Sequence, residues 1–306
     1  MKKKSKNLTV GEVVPQFLEE LDGLNSFSDF RQKQSLCKTW IVPYLGSVKL
    51  TELSDGDVQK MLNSACKLGS TRKTIKNIKG TLSLFLKYCR RYKLTTYRFD
   101  DVEIPHSAKS KGKTILSPSD VKKLFETELT LYKDKVTADP YIHYYRLMVL
   151  TGLRPSEMLG LRKKDIDLDS QKILIKQAIN IFGEVTEGKN SNALRAVPLC
   201  ETAVEEIKLQ MEVAKGEYLF TDTNEPLIRD FWQRYCSFNG LTKTTLYELR
   251  HTFVSIAKCL PEGEIKSLVG HSKNMDTYGV YSHALEGDNL KVANDIQSCF
   301  DNLVVK

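Results

Sequence analysis

The stretch GHSKNMDTYGVYSH, from Gly270 to His283, gathers two histidines and two tyrosines near the C-terminal end of the chain. A tyrosine phenol has a reference pKa of about 10, so at neutral pH it is a weak nucleophile. It becomes reactive only when a neighbour accepts its proton or a positive charge stabilises its anion. If Tyr278 or Tyr281 does chemistry, bases and cations must come from other parts of the chain.

Two arginines occupy positions that suit this task. In LTGLRPSEMLGL, an apolar helical pattern stops at Gly152, and Arg154 precedes a Pro-Ser-Glu helix start. In TLYELRHTFVSIAKCLP, apolar residues step by three and four and mark the buried face of a helix. Tyr247 and Arg250 lie three apart on a different face of that helix. The sequence thus predicts a guanidinium group held at a junction of packed elements for Arg154, whereas Arg250 taken alone is more typical of a surface salt bridge.

In order, spacing and local context these segments resemble the catalytic domain of the tyrosine recombinases, the phage-integrase and Xer-type family, over about residues 115–290. The matching positions are Arg154 in TGLRPSE, Arg250 in YELRHTF, His271 in LVGHS and Tyr281 in VYSH. The family also carries a lysine in a β-hairpin turn, nine residues before the proline of an R-x-V-P-L ending. Counting back from Pro198 gives Lys189.

The resemblance implies a role for each position in cutting and rejoining DNA. Tyr281 attacks the scissile phosphate and forms a 3′-phosphotyrosine link that keeps the bond energy. Arg154 and Arg250 grip the non-bridging oxygens, and preorganised charge of this kind is usually the largest catalytic contribution. Lys189 protonates the leaving 5′-oxygen, and His271 hydrogen-bonds the phosphate. No cluster of Asp and Glu resembles a two-metal site, so we expect neither metal nor cofactor.

The sequence departs from the family pattern at two places. Tyr247 stands where the family usually has histidine, and a phenol can hydrogen-bond a phosphate oxygen but is a poor base at pH 7. His271 or water would then accept the proton of Tyr281, and Tyr278 remains a rival nucleophile because the His271-to-Tyr281 spacing is one longer than usual. We assign supporting roles to Glu157, which is expected to orient Arg154, and to His251, which is expected to pack beside Arg250.

Length and composition favour two soluble domains. The chain has 306 residues with 41% hydrophobic content, no apolar run long enough to span a membrane, and no apolar signal region after MKKKSKNLTV. Seven scattered cysteines without a CxxC pair predict reduced core thiols rather than a metal site. The predicted divisions are a basic tail 1–7, a core-binding domain 8–100, a linker 101–113 and a catalytic domain 114–306.

The predicted fold is mostly α, with an all-α SAM-like core-binding domain and an α+β tyrosine-recombinase catalytic domain that has one small antiparallel sheet. The first domain is similar to its family counterpart in IVPYLGSVKLTELSDGDVQKMLN and in the basic helix that follows. Strands are expected around KILIKQAINIFGEVTEGKNSNALRAVPL, where β-branched residues alternate with polar ones. Ser117 is expected to cap a helix that starts at Pro118.

A basic helix is the predicted DNA contact of the first domain. Ile75, Ile78, Leu82 and Leu86 define its core face, and no acidic residue balances the cations on its other faces. A solvated helix face is the ordinary explanation of such a pattern, but phosphate contacts require uncompensated cations, and the net charge of +8 agrees with an anionic partner. The predicted contacts are Arg72, Lys73, Lys76, Lys79, Lys87, Arg90 and Arg91.

These features together predict a site-specific DNA recombinase, the integrase or excisionase of a phage or integrative mobile element. Family analogy implies double-stranded recombination sites as substrate, a homotetramer on DNA whose free form could be a monomer, no membrane, and room for an accessory DNA-bending or excision factor. The expected location is the cytoplasm, with the nucleoid. The open alternatives are a Xer-type resolvase or invertase, a tyrosine-type topoisomerase, and a non-catalytic DNA-binding protein on the same scaffold. The tail after Tyr281 could dock on a neighbouring protomer or on its own domain.

Overall fold

The computed structural model of the protein describes residues 8–24, 26–110, 112–187, 194–270 and 288–304. Its contacts divide the chain into two compact units, Met1–Gly112 and Lys113–Lys306. Among the described residues the first unit is helical apart from one isolated bridge, and the second combines helices with short antiparallel strands. The predicted fold class is confirmed. No helix of the described part is long and apolar enough to cross a membrane.

Side-chain caps fix where the helices of the first unit begin. Thr9 and Glu12 form a capping box, as do Ser54 and Asp57, and Thr71 accepts from the amide of Thr74. The helices are α1 (Val10–Asp22), α2 (Phe27–Leu36), a π-helical turn (Cys37–Ile41), α3 (Val42–Leu45), α4 (Asp55–Lys67) and α5 (Arg72–Arg91).

The helical period of α5 places one face in the core of the first unit. Ile75, Ile78, Leu82 and Leu86 are all buried, which confirms the predicted core face. The stretch after this helix is mostly exposed among its described residues, as its polar composition predicts. Val102 and Ala108 are the exceptions, because both are buried in the core of the first unit.

The second unit is built around α7 (Ile142–Thr151), whose residues are buried on all sides. Its other helices are α6 (Pro118–Glu126), α8 (Pro155–Leu159), α9 (Glu201–Val213), α10 (Glu225–Asn239), α11 (Leu246–Ile256), α12 (Glu262–Leu268) and α13 (Asp288–Val304). Ser117 caps α6 through a capping box with Asp120, as predicted. Helices α9 and α11 both pack on α7, so α7 is the centre of the hydrophobic core that supports the site residues.

The described part of the second unit contains three small antiparallel sheets, where the sequence predicted one. The strands are β1 (Leu129–Tyr132), β2 (Lys135–Ala138), β3 (Ile166–Asp167), β4 (Lys172–Ile175), β5 (Gln177–Ile179), β6 (Val185–Glu187) and β7 (Arg195–Pro198). They pair as β1-β2, β3-β4-β7 and β5-β6. In the middle sheet Ile173 lies opposite Val197 and Ile175 opposite Arg195. This register brings Arg195 to the end of the sheet.

The C-terminal helix α13 packs on its own domain. It lies against α6, α9, α11 and β7, and the ring of Phe300 meets that of Phe125 edge to face at 4.6 Å. Cys299 of α13 is bonded to Cys259, with the two Cα atoms 6.5 Å apart. The prediction of reduced thiols is therefore wrong for this pair, whereas Cys37, Cys66, Cys89, Cys200 and Cys236 are free.

Candidate active site

Arg154 is held at the junction between α7 and α8. Helix α7 ends because Gly152 takes a left-handed conformation, with φ of 62°, which glycine adopts without a side-chain penalty. Arg154 then precedes Pro155, the first residue of α8. Its side chain is 31% exposed, and its Nη2 donates to the carbonyl of Gly270 at 3.0 Å. One face of the guanidinium is thus anchored while part of it stays open to an anion.

Glu157 accepts hydrogen bonds from two arginines at this junction. Its Oε1 accepts from Arg154 Nη1 at 2.6 Å and from Arg195 Nη1 at 3.0 Å. Its Oε2 accepts from the Arg154 amide at 2.9 Å and from Arg195 Nη2 at 2.8 Å. Four donors fill about the four lone-pair directions that a carboxylate offers. The structure thus places Glu157 where the sequence expected it, against Arg154.

Electrostatics keep this carboxyl group ionised. Burial alone would raise the pKa of Glu157, since a charge is poorly solvated in the interior. The hydrogen bonds and charge of Arg195, with those of Arg154, outweigh burial and lower the pKa to about 2. At neutral pH Glu157 is an anion that orients two arginines.

Arg250 lies beneath the same junction. It projects from α11, is only 1% exposed, and donates from Nη1 to the carbonyl of Gly152 at 2.9 Å and from Nη2 to the carbonyl of Val269. Burial, followed by repulsion from Arg154, lowers the pKa of Arg250 to about 10. The group is still a cation at neutral pH. Arg250 from α11 and Arg154 from the α7–α8 junction thus hold the carbonyls of successive residues, Val269 and Gly270.

The described site is strongly positive. The guanidinium groups of Arg154, Arg195 and Arg250 face one carboxylate, that of Glu157, which leaves a net charge of about +2. A phosphodiester carries one negative charge, and attack by an oxyanion adds a second in the transition state. Fixed cations that match the developing charge lower the barrier without any reorganisation during the reaction.

Tyr247 and His251 form a pair one helical turn apart on α11. The phenol of Tyr247 is 45% exposed, and its ring meets the imidazole of His251 edge to face, with the centroids 5.3 Å apart. Burial, then the charges of Lys113 and Arg250, lower the pKa of His251, so the imidazole is neutral at pH 7. His251 thus packs against the ring of Tyr247. The exposed hydroxyl of Tyr247 can donate a hydrogen bond to a group on the solvent side.

Four residues that the sequence singled out lie outside the described part of the chain: Lys189, His271, Tyr278 and Tyr281, as does the predicted basic tail 1–7. The two arginines nonetheless bind the carbonyls of Val269 and Gly270, which come immediately before His271 in the sequence. Sequence analysis missed Arg195. Its signal was present, because Arg195 is the arginine of the R-x-V-P-L ending that was used only to count back to Lys189.

The basic helix α5 divides into two sets of cations. Lys79 donates to the carbonyl of Val102, Arg90 donates to that of Tyr97, and Arg91 pairs with Glu20, so these three side chains serve the first unit itself. The exposed set is Lys73, Lys76 and Lys87, with Arg72 half-buried. Within the described ranges these four side chains take part in no ion pair, which leaves them for an external anion.

Among the residues that the structure describes, no group of three or more His, Cys, Asp or Glu side chains could hold a metal ion. The only carboxylate hydrogen-bonded to Arg154 in this part of the chain is that of Glu157, and arginines occupy its oxygens. The chemistry that these residues offer is charge stabilisation of a phosphate.

Comparisons with known proteins agree with this geometry. The model of the phage integrase family matches residues 115–287. The tyrosine recombinase XerC-like protein of Caldanaerobacter subterraneus subsp. tengcongensis is 21% identical over 300 residues, covering 84% of this chain and 74% of the relative. The Tn1549 transposon integrase in complex with transposon right end DNA gives a TM-score of 0.71 at 20% identity, covering 93% of this chain and 98% of that one. A lambda integrase tetramer bound to a Holliday junction gives 0.69 at 17%, covering 95% and 78%.

Proposed function

We propose, because the chain belongs to the phage integrase family of tyrosine recombinases, that it integrates or excises a mobile DNA element through a covalent tyrosine intermediate. As a member of this family it is an enzyme, a site-specific DNA recombinase. Its substrate is double-stranded DNA that carries the recombination site of the element.

One observation carries the proposal. Arg154 from the α7–α8 junction and Arg250 from α11 lie 96 positions apart in the sequence and converge on the backbone of Val269 and Gly270. Burying the guanidinium of Arg250 against backbone carbonyls has a high desolvation cost, so a purely structural role for it beside a second cation is expensive. A phosphate recognised by forked donors explains both the residue type and the convergence.

In the proposed reaction, the phenol of Tyr281 gives its proton to His271 or water, its oxygen attacks the phosphorus, and the bond to the 5′-oxygen breaks. Arg154 and Arg250 stabilise the charge on the non-bridging oxygens. Lys189 gives a proton to the leaving 5′-oxygen, and His271 hydrogen-bonds the phosphate. The 5′-hydroxyl of the partner strand then attacks the phosphotyrosine and releases Tyr281, so no net bond energy is lost.

The exposed cations of α5 supply the remaining DNA contacts in this proposal. Lys73, Lys76 and Lys87 would bind backbone phosphates and release counterions, which favours binding without reading the sequence. The solved lambda integrase tetramer on a Holliday junction supports assembly of four protomers on two duplexes. An accessory DNA-bending or excision factor, and action in the cytoplasm at the nucleoid, complete the proposal.

Covalent trapping tests it. A duplex that carries the recombination site and a nick next to the scissile phosphate loses its 5′-hydroxyl fragment after cleavage, so the adduct accumulates. We expect an adduct for the wild type and for Tyr278→Phe, and none for Tyr281→Phe. Arg154→Lys should bind the same duplex and form the adduct far more slowly. An adduct that vanishes only in Tyr278→Phe would refute the assignment of the nucleophile, and no adduct in the wild type would refute the proposed reaction.

A further inference from the structure

Arg195 joins three separate elements of the second unit. It starts strand β7, and its side chain is 8% exposed. Both of its Nη atoms donate to the two oxygens of Glu157, at 3.0 and 2.8 Å. Its Nε donates to the carbonyl of Leu268, the last residue of α12, at 2.8 Å. A planar guanidinium fork thus locks a strand, the first turn of α8 and the end of α12 in one geometry.

We propose that Arg195 is a positioning residue for DNA cleavage, which sets the direction of the Arg154 guanidinium by holding both oxygens of Glu157, the carboxylate that Arg154 binds. The inference rests on the proposed function. Arg195 itself is covered by protein and acts through Glu157 and through the backbone of α12, so it needs no contact with the phosphate.

The hydrogen-bond pattern gives the physical reason. Each oxygen of Glu157 accepts one bond from Arg154 and one from Arg195, so the two arginines together fix the orientation of the carboxylate. Without Arg195, half of these bonds are lost and the buried carboxylate can rotate towards Arg154. The guanidinium would then follow the carboxylate, away from the position that a phosphate oxygen requires.

The hydrogen bond from Arg195 to the carbonyl of Leu268 also fixes the position of the end of α12. Arg195 holds the carbonyl of Leu268, Arg250 that of Val269 and Arg154 that of Gly270. Three guanidinium groups thus bind three successive carbonyls at the end of α12, directly before His271 in the sequence. Because a lysine ammonium has no planar fork, it cannot span both oxygens of Glu157 and the Leu268 carbonyl at once.

The chain offers a matched control in Arg146. This arginine is also buried, at 4% exposed, and also binds a buried carboxylate, that of Glu206, together with backbone carbonyls of 124, 125 and 127. In the described ranges none of these partners is hydrogen-bonded to Arg154, Glu157 or Arg250. Replacing either arginine by lysine disturbs a buried ion pair, but only Arg195 lies in the arrangement that orients Arg154.

The experiment compares Arg195→Lys, Arg195→Gln and Arg146→Lys with the wild type. For each we measure the rate of adduct formation on the nicked duplex, the Kd for that duplex and the melting temperature, with rates taken where circular dichroism shows the variant folded. Both Arg195 variants should form the adduct roughly 10- to 100-fold more slowly, as expected for a misplaced catalytic group, with Kd within about threefold. Arg146→Lys should lower the melting temperature and keep the wild-type rate within about threefold.

A double-variant cycle tests whether Arg195 acts through Glu157. Glu157→Gln should also slow the reaction, and adding Arg195→Lys to it should slow it little further, because the two act as one unit. Independent effects that multiply, or wild-type rates in both Arg195 variants, would overturn the inference while leaving the recombinase proposal intact. A wild type without adduct would instead contradict the proposed function itself.

Discussion

Replacing Gly152 by alanine should damage both the stability of the second unit and the site built upon it. Gly152 ends α7 with φ of 62°, in the left-handed region that costs a residue with a Cβ roughly 1 to 2 kcal/mol. A Cβ at this position would also lie 2.2 Å from Cδ1 and 2.8 Å from Cγ of Phe253, whose ring is buried. Overpacking of this kind costs about 1 to 3 kcal/mol. The expected loss for Gly152→Ala is therefore roughly 2 to 5 kcal/mol.

Gly240 provides the control because it has the same left-handed conformation without the overlap with Phe253. It ends α10 with φ of 65°, and a Cβ there meets nothing within 4 Å. Gly240→Ala should therefore show the conformational cost alone, about 1 to 2 kcal/mol, and the difference between the two variants measures the overlap with Phe253. Urea unfolding followed by far-ultraviolet circular dichroism gives both free energies.

The same pair of variants connects stability to chemistry. The carbonyl of Gly152 accepts a hydrogen bond from Arg250, so a shift of this turn moves the anchor of that guanidinium. Gly152→Ala should slow adduct formation under conditions in which it is folded, and Gly240→Ala should not. Equal stability of the two variants, or a wild-type cleavage rate in Gly152→Ala, would refute the reasoning.

Three further predictions follow from other parts of the molecule. The pKa of Glu157 falls from 4.5 to about 2 on folding, so the ionised group contributes to the free energy of unfolding above pH 4.5. About 3 kcal/mol of this contribution should disappear as the pH drops to 2. In urea unfolding, Glu157→Gln should lack this pH-dependent loss of free energy. Cys299→Ser should lower the free energy of unfolding by about 2 to 4 kcal/mol in the absence of reductant, and dithiothreitol should abolish the difference from the wild type in thermal melts. Replacing Lys73 and Lys76 by alanine should reduce the slope of log affinity against log salt concentration by roughly 1 to 2 for any duplex. Arg91→Ala should leave this slope unchanged, because Arg91 is paired with Glu20.

Long helical patterns and capped starts were predictable from the sequence. The apolar period of α5 extends over 20 residues, and its core face agrees with the structure. Ser117 and Pro118 carry local information about the start of α6, because a cap and its helix lie within one turn. The positions of Arg154 and Arg250 were recognised for a different reason, since family motifs record a convergence that no local pattern contains.

Short strands and long-range pairs were not predictable in the same way. The strands β1 and β2 are four residues each, and Lys133 and Asp134 between them both have positive φ without the glycine that usually announces such a turn. Arg195 meets Glu157 across 38 residues only because β7 pairs with β4 in one register. The composition of 101–113 indicates exposure, which holds for most of its described residues, but it does not reveal that Val102 and Ala108 pack into the core of the first unit.

The saturated carboxylate of Glu157 has a consequence for the lifetime of the covalent intermediate. Every lone-pair direction of Glu157 is taken by an arginine or a backbone amide, so this group cannot deprotonate a water molecule. Water is far more abundant than the hydroxyl end of a DNA strand. A carboxylate with a free lone pair in the site would activate water to hydrolyse the phosphotyrosine link. With Glu157 occupied in this way, no base from this residue promotes hydrolysis, and the covalent intermediate persists until the 5′-hydroxyl of the incoming strand attacks it.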